Sequence, residues 1–304
     1  MGKLRILATI ATGVVATAVM AAGPAAAEKS SVDVPGGMTA SYLVIDQKAG
    51  KTFGARVHKP YRSASLVKLF IALDYLESHG PDYVIPADDL ALLEPMLRAS
   101  NDAAASTLWV RDGWEGIVKR MVAKIGLADT TPPADRSKWG YTAISAADIA
   151  KTYRYIQHTA SAKYRDFILG NLAKSTKCGA DRFDQSFGIP RAVPGAKTVK
   201  QGWSGFGAAP ARGEECSEAE VTMRRMLTSP EVRAATAVAS SGDGTPGARN
   251  LDLTGGVMHT SGTVGAGNDK IVVVLTQEPA TLSWQDSASR ITKLTQDVYR
   301  RSAL

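Results

Sequence analysis

The chain has 304 residues, of which 44% are hydrophobic, and its 36 basic and 29 acidic side chains give a formal charge of +7. The basic excess is scattered, without a basic run or interleaved aromatics, which argues against a nucleic-acid partner and leaves a weak attraction to an anionic wall or surface. The length fits one large domain or two small ones.

The chain opens with Lys3 and Arg5, an apolar run "ILATIATGVVATAVMAAG" and the small residues of "PAAAE". That is the pattern of an export signal cleaved after Ala27, so residues 1–27 are set apart from fold reasoning. The run approaches the ~20 residues that span a bilayer, but its Ala and Gly content and A-x-A ending favour removal. No cysteine lies near the cleavage point to carry a lipid. The expectation is a secreted protein of the cell envelope, monomeric and without a stable membrane anchor. Loss of Lys3 and Arg5 lowers the charge from +7 to +5, 34 basic against 29 acidic side chains. Cys178 and Cys216 remain in the exported chain; a disulfide between them is the default in an oxidising compartment, with two free thiols as the alternative.

After the signal, "ASYLVIDQKAGKTFGARV" shows two apolar runs broken by turn residues, the signature of a β-hairpin. From Ser65 to about Gly80 the apolar residues Leu66, Leu69, Phe70, Leu73, Tyr75 and Leu76 crowd too densely for one stripe, which predicts a helix buried nearly all round. Between about residues 87 and 170, "DDLALLEPMLRAS", "DAAASTLWVRD", "WEGIVKRMVAKIG" and "SAADIAKTYRYIQ" keep helical spacing, the last opening on a serine cap followed by an acid. Strand character returns in "AKTVKQGW", "GGVMHTSGTV" and "DKIVVVLT", and "SASRITKLTQDVYRR" closes the chain as a helix. Strands at both ends with helices between them are not a βαβ repeat. They predict an α+β fold whose chain ends meet in one mostly antiparallel sheet, packed on a helical lobe. The expected domain is 28–304, with an α/β lobe from 34–61 and 190–304 and a helical lobe from 62–189.

Within "RSASLVKLFIALDYL", Ser65 and Lys68 are three residues apart and share a helix face. In the first helical turn the backbone N–H of Ser65 is free to hold an oxyanion, and a buried lysine whose pKa is lowered can take the serine proton. The alternative is a serine that caps its helix beside a lysine that reaches solvent. Further along stand Ser100-Asn101-Asp102 between two helical segments and Lys200-Gln201-Gly202 on a predicted strand. Alternatively, Ser100 caps the helix that starts at Asp102, Asp102 is a first-turn acid, and Lys200 is a solvated edge-strand charge. S-x-x-K on an apolar helix, a serine-led triplet about 35 residues later and Lys-x-Gly on a late strand, in that order, resemble the serine β-lactamase and penicillin-binding protein superfamily, most closely its class A β-lactamase-like branch. The similarity runs from about residue 38 to the end, through "LLEPMLRASNDAAASTLW", "IGLADTTP", "FGIP" ahead of "VKQGW", and "IVVVLTQEP".

The resemblance implies a β-lactamase/transpeptidase-like fold in which Ser65 is the nucleophile and Lys68 activates it. Ser100 would pass a proton to the leaving nitrogen, and Lys200 would complete that relay and attract the substrate carboxylate. The N–H groups of Ser65 and Trp203 would form the oxyanion hole, and Gly202 would leave room for substrate along the strand. The implied function is a secreted serine hydrolase that forms an acyl-Ser65 intermediate with a β-lactam or D-alanyl-type amide of peptidoglycan. A D,D-peptidase or esterase of the same fold and a non-catalytic cell-wall or β-lactam binding protein are the alternatives. No cofactor or metal is implied.

Four departures qualify this pattern. The usual Ser-Asp-Asn triplet reads Ser100-Asn101-Asp102, so an acceptor replaces an amide donor, and Asp102 is expected either to pair with Lys68 or to select a different substrate. Gln201 stands where a carboxylate-binding Ser or Thr is usual. In "ADTTPPADRSKWGYTAISAAD" there is no glutamate to position a deacylating water, and Asp129 or Asp135 are the poor substitutes. Residues 204–255 replace a short hairpin with about fifty residues, including a helical pattern "EAEVTMRRMLTSPEVRAATAVA". A second alignment takes "HTSG", His259 to Gly262, as the Lys-x-Gly equivalent. Glu94 and His259 are otherwise read as structural.

Overall fold

The computed structural model describes Gly2 and residues 32–195, 197–217 and 251–303. The expected export signal, apart from Gly2, and the helical pattern at 218–239 lie outside the described residues. Strand β1 (Thr39–Asp46) turns through Gly50, at φ +66°, into β2 (Lys51–Ala55), and Asp46 Oδ1 accepts from Ala49 N at 2.8 Å to close the turn. This is the hairpin read from "DQKAGK", with Tyr42 opposite Ala55 and Asp46 opposite Lys51.

The late strands β5 (Lys197–Ser204), β6 (Gly256–Val264) and β7 (Lys270–Glu278) join the hairpin in a five-stranded sheet of order β2-β1-β7-β6-β5. All of its pairings are antiparallel, and β7 against β1 is where the two ends of the chain meet. The run "IVVVL" serves both faces of the sheet. Ile271, Val273 and Leu275 face the helical lobe, whereas Val272 and Val274 face the C-terminal helix, as the two-residue period of a strand requires.

The helices α1 (Lys68–His79), α2 (Ala87–Arg98), α3 (Asp102–Arg111), α4 (Gly116–Ile125), α5 (Ala146–His158) and α6 (Ala162–Ala173) build the first core around α1. Every residue of α1 from Lys68 to Leu76 is buried, the all-round burial that its sequence predicts, and Gly80 at φ +84° ends the helix. Helix α5 starts as expected, Ser145 Oγ accepting from Asp148 N at 3.1 Å. After the short α7 (Ile189–Ala192), helix α8 (Trp284–Arg301) lays Ala288, Ile291, Leu294 and Val298 on the second core. That spacing of three and four residues is one face of a helix. Among the described residues no helix is long and apolar enough to cross a membrane.

Candidate active site

A two-stranded ribbon of β3 (Tyr61–Arg62) and β4 (Ala143–Ile144) leads into a 3-10 turn, Ala64–Val67, that carries Ser65. The helix expected to begin at Ser65 therefore opens as a 3-10 turn and becomes α-helical at Lys68. In a 3-10 turn side chains three residues apart eclipse, which brings Lys68 Nζ to 2.7 Å from Ser65 Oγ. Ala64, just before the serine, is held at φ +45°, a strained conformation for a residue with a side chain. Ser65 is 5% exposed and Lys68 wholly buried, so the lysine does not reach solvent. Its three N–H donors are used on Ser65 Oγ, on Ser100 O at 2.6 Å and on Asp102 Oδ1 at 2.5 Å.

The triplet sits in the turn between α2 and α3. Its helix cap is Asn101, whose side chain accepts from Ala104 N at 2.9 Å, so Ser100 is free of that duty. Ser100 adopts φ +53° and accepts a hydrogen bond from Lys200 Nζ. The strained turn thus points the Ser100 carbonyl at Lys68 and its hydroxyl at Lys200. Asp102 is the ion-pair partner of Lys68, the first of the two outcomes its position allowed.

Strand β5 is the last strand of the sheet and runs past the serine turn. Lys200 is buried, not a solvated edge charge. Burial, and then the neighbouring charge of Lys68, hold its amine well below the usual lysine range. A Cβ added at Gly202 would lie 3.1 Å from Ser63 O and 3.2 Å from Ser65 N, so glycine lets the strand edge come this close to the Ser65 amide. The next residue, Trp203, donates from its indole Nε1 to Asp181 Oδ2 at 2.9 Å. Gln201, which stands where a carboxylate-binding hydroxyl is usual and could or could not reach a substrate, has its side chain bonded to backbone. Successive strand residues face opposite sides, and its buried amide donates to Phe187 O at 2.5 Å and Gln185 O at 3.2 Å, on the side away from Lys200.

The segment between α4 and α5 is fastened by Asp148, which accepts from Ala128 N, Asp129 N and Thr130 Oγ1 at 3.1, 2.8 and 2.7 Å. Neither aspartate of the segment bonds to Ser65 or Lys68. Asp129 accepts from Ser145 Oγ and faces His58 Nδ1, and Asp135 accepts from the N–H and hydroxyl of Ser137. What the segment delivers is Trp139, whose ring lies 4.9 Å from Lys68 Nζ while its Nε1 donates to Ser106 Oγ at 3.1 Å. His259 is wholly buried in β6, its Nε2 donating to Arg62 O at 2.9 Å and its Nδ1 accepting from Thr276 N at 3.3 Å. Burial lowers its pKa to about 4. The strand beside Ser65 is therefore that of Lys200 and not of "HTSG", and Glu94 forms a helix-surface pair with Arg98.

Two residues of this neighbourhood carried no sequence signal, Trp139 and Asp181. Asp181 lies in the loop before α7, which is fixed by Ala180 N donating to Ala99 O at 2.7 Å and by the Cys178–Cys216 disulfide, whose Cα atoms are 5.5 Å apart. The pairing is the one expected of the two cysteines. Burial first, and then the charge of Asp102, raise the Asp181 carboxyl to about 6, against the hydrogen bonds from Phe183 N and Trp203.

The fold is that of class A β-lactamases and of a penicillin-binding protein. The solved structure of PBP-A superposes with a TM-score of 0.58 and 13% identity, over 89% of this chain and 92% of that one. The β-lactamase of Burkholderia vietnamiensis gives 0.56 and 15%, over 88% and 92%. An ancestral class A β-lactamase gives 0.57 and 13%, over 87% and 95%. No protein-family model matches the chain. Among curated proteins, the "Putative lipoprotein LppW" of Mycobacterium bovis and of Mycobacterium tuberculosis is 35% identical over 173 residues, covering 55% of this chain and 54% of the relative. The chain thus spans about half the length of the curated relatives it matches.

Proposed function

We propose that this chain is a serine acyl hydrolase that forms an acyl-Ser65 intermediate with a β-lactam or a D-alanyl-type amide. The observation that carries this is the contact of Lys68 Nζ with Ser65 Oγ, 2.7 Å, on a side chain with no exposure to solvent. A serine hydroxyl attacks an amide only when a base removes its proton, and Lys68, once it has passed a proton to the Asp102 carboxylate it touches, presents a free amine to Ser65 Oγ. The paired Ser100 and Lys200 supply the complementary service: the Ser100 hydroxyl protonates the leaving nitrogen and is reprotonated from Lys200, whose proton is held less tightly because burial and the charge of Lys68 lower its pKa. The N–H groups of Ser65 and of Trp203, on either side of the Gly202 approach, receive the oxyanion, where losing one donor costs about 3 kcal/mol of barrier. The amide substrate class is supported by the fold shared with a PBP-A acyl-enzyme complex of penicillin G. The name of the mycobacterial relatives and the export-signal pattern support an envelope location.

Intact mass spectrometry after incubation with penicillin G tests the proposal. The expected result is a penicilloyl adduct on Ser65, or its hydrolysed product, with neither appearing for Ser65→Ala. A wild-type chain that takes up no label and hydrolyses nothing is a binding protein on an enzyme fold, and the proposal fails.

A further inference from the structure

Cleavage of an acyl-serine ester requires a base that takes a proton from water as the water oxygen attacks the acyl carbon. The segment between α4 and α5 brings no carboxylate to Lys68: it presents the Trp139 ring instead, and Asp129 and Asp135 are engaged elsewhere. The carboxylate in contact with the lysine is that of Asp102. We propose that Asp102 is the general base of deacylation, accepting the proton of the water that cleaves the acyl-Ser65 ester. This rests on the reading of Ser65 as an acylated nucleophile.

Asp102 Oδ1 and Ser65 Oγ touch the same Lys68 Nζ, at 2.5 and 2.7 Å, which keeps the carboxylate and the ester-forming oxygen within the span of a single water. Lys68 is wholly buried, whereas the Asp102 side chain is 46% exposed, so the carboxylate is the member of the pair that meets water. Among the described residues Lys68 is its sole side-chain partner, which leaves most of the acceptor positions of a carboxylate open. Asn101 caps α3, so Asp102 is not consumed by the helix end. The nearby Asp181 has both oxygens occupied, by Trp203 Nε1 and Phe183 N, and touches neither Ser65 nor Lys68.

The step balances without a further reactant. Asp102 takes one proton from water, and the water oxygen bonds to the acyl carbon. The C–Oγ bond of the resulting tetrahedral species then breaks, and Oγ takes a proton from Lys68. The proton on Asp102 passes to Lys68 Nζ. The acyl group leaves as a carboxylic acid, and the resting ion pair is restored. An asparagine at this position offers no proton acceptor of comparable basicity, so the wild-type carboxylate converts an acylating site into a hydrolysing one.

The test follows the decay of the penicilloyl adduct by intact mass spectrometry after removal of free penicillin G, in wild type, Asp102→Asn, Asp102→Glu and Asp181→Asn. The Asn variant should acylate on Ser65, which also reports its folding, and lose the adduct about 100-fold more slowly or worse. The Glu variant should recover a measurable part of the wild-type decay. Should the Asn variant take no label, Asp102→Ala stands in its place with the same expected persistence. An Asn or Ala adduct that decays at the wild-type rate overturns the proposal, as does slowing in Asp181→Asn alone. A wild-type adduct that persists for hours overturns it while leaving acylation of Ser65 intact. A wild type that neither labels nor hydrolyses removes both readings together.

Discussion

At the residue scale, buried ionisable groups define the site and also cost stability. Lys200 is buried with its amine pushed toward the neutral form by burial and by Lys68. Lys200→Met should therefore abolish adduct formation while raising the denaturant midpoint, by about 1 kcal/mol in stability, since an apolar side chain of similar length has no such cost. Asp181 behaves in the opposite sense with pH. Its carboxyl stands near 6 in the folded chain, above the ordinary aspartate value of 3.8. Between those values the unfolded chain loses a proton that the folded chain keeps, so stability is full below 3.8 and is lost as pH rises through about 6. Removing this group in Asp181→Asn should leave stability at pH 3.5 unchanged and raise it at pH 7, by up to about 3 kcal/mol, in urea titrations at the two pH values. His259 has its pKa lowered to about 4 by burial, so the wild-type chain loses stability as pH falls from the ordinary 6.5 toward 4.

The element scale is where the close approach of strand β5 to the serine turn matters. A methyl at position 202 would press on Ser63 O and Ser65 N, both backbone atoms that cannot rotate away. Gly202→Ala should widen the gap by a few tenths of an ångström and slow acylation about 10- to 100-fold, with a small change in melting temperature. Stopped-time labelling with penicillin G separates this from a folding defect. The strained φ of Ala64 and Ser100 belongs to the same scale. Each residue costs on the order of 1–3 kcal/mol, and each turn aims a group at Lys68 or Lys200, so surrounding packing must offset the strain. The positions S-x-x-K, the triplet and Lys-x-Gly were legible because each places a reactive group on a helix start or strand edge with a recognisable spacing. Trp139 and Asp181 were not, because an indole over an ammonium and a carboxylate under an indole depend on how loops close across the cleft.

For the whole molecule, the Cys178–Cys216 disulfide closes a separation of 38 residues and ties the Asp181 loop to the stretch after β5. Cross-linking a loop of that size stabilises by about 4 kcal/mol in the chain-entropy account. Cys178→Ser with Cys216→Ser, or wild type under reductant, should lower the urea midpoint accordingly and slow acylation, because the loop also holds Trp203 through Asp181. Arg62 makes a second tie. From beside the Ser65 turn its guanidinium donates to Ser204 O, Leu253 O and Gly255 O at 3.2, 3.1 and 2.5 Å, so both described roots of the long insertion are fixed to one buried cation.

By itself the sequence determined the elements, their order and the antiparallel sheet joining the chain ends, because hydrophobic period and turn chemistry act over a few residues. It also singled out Ser65, Lys68, Ser100 and Lys200, which the fold brings together. Only the tertiary structure decided that Asp102 pairs with Lys68, that Gln201 faces away from Lys200 and that the segment between α4 and α5 brings a tryptophan ring to Lys68. Those outcomes turn on which side of a strand or loop faces a shared amine, and that is set by packing between segments far apart in the chain.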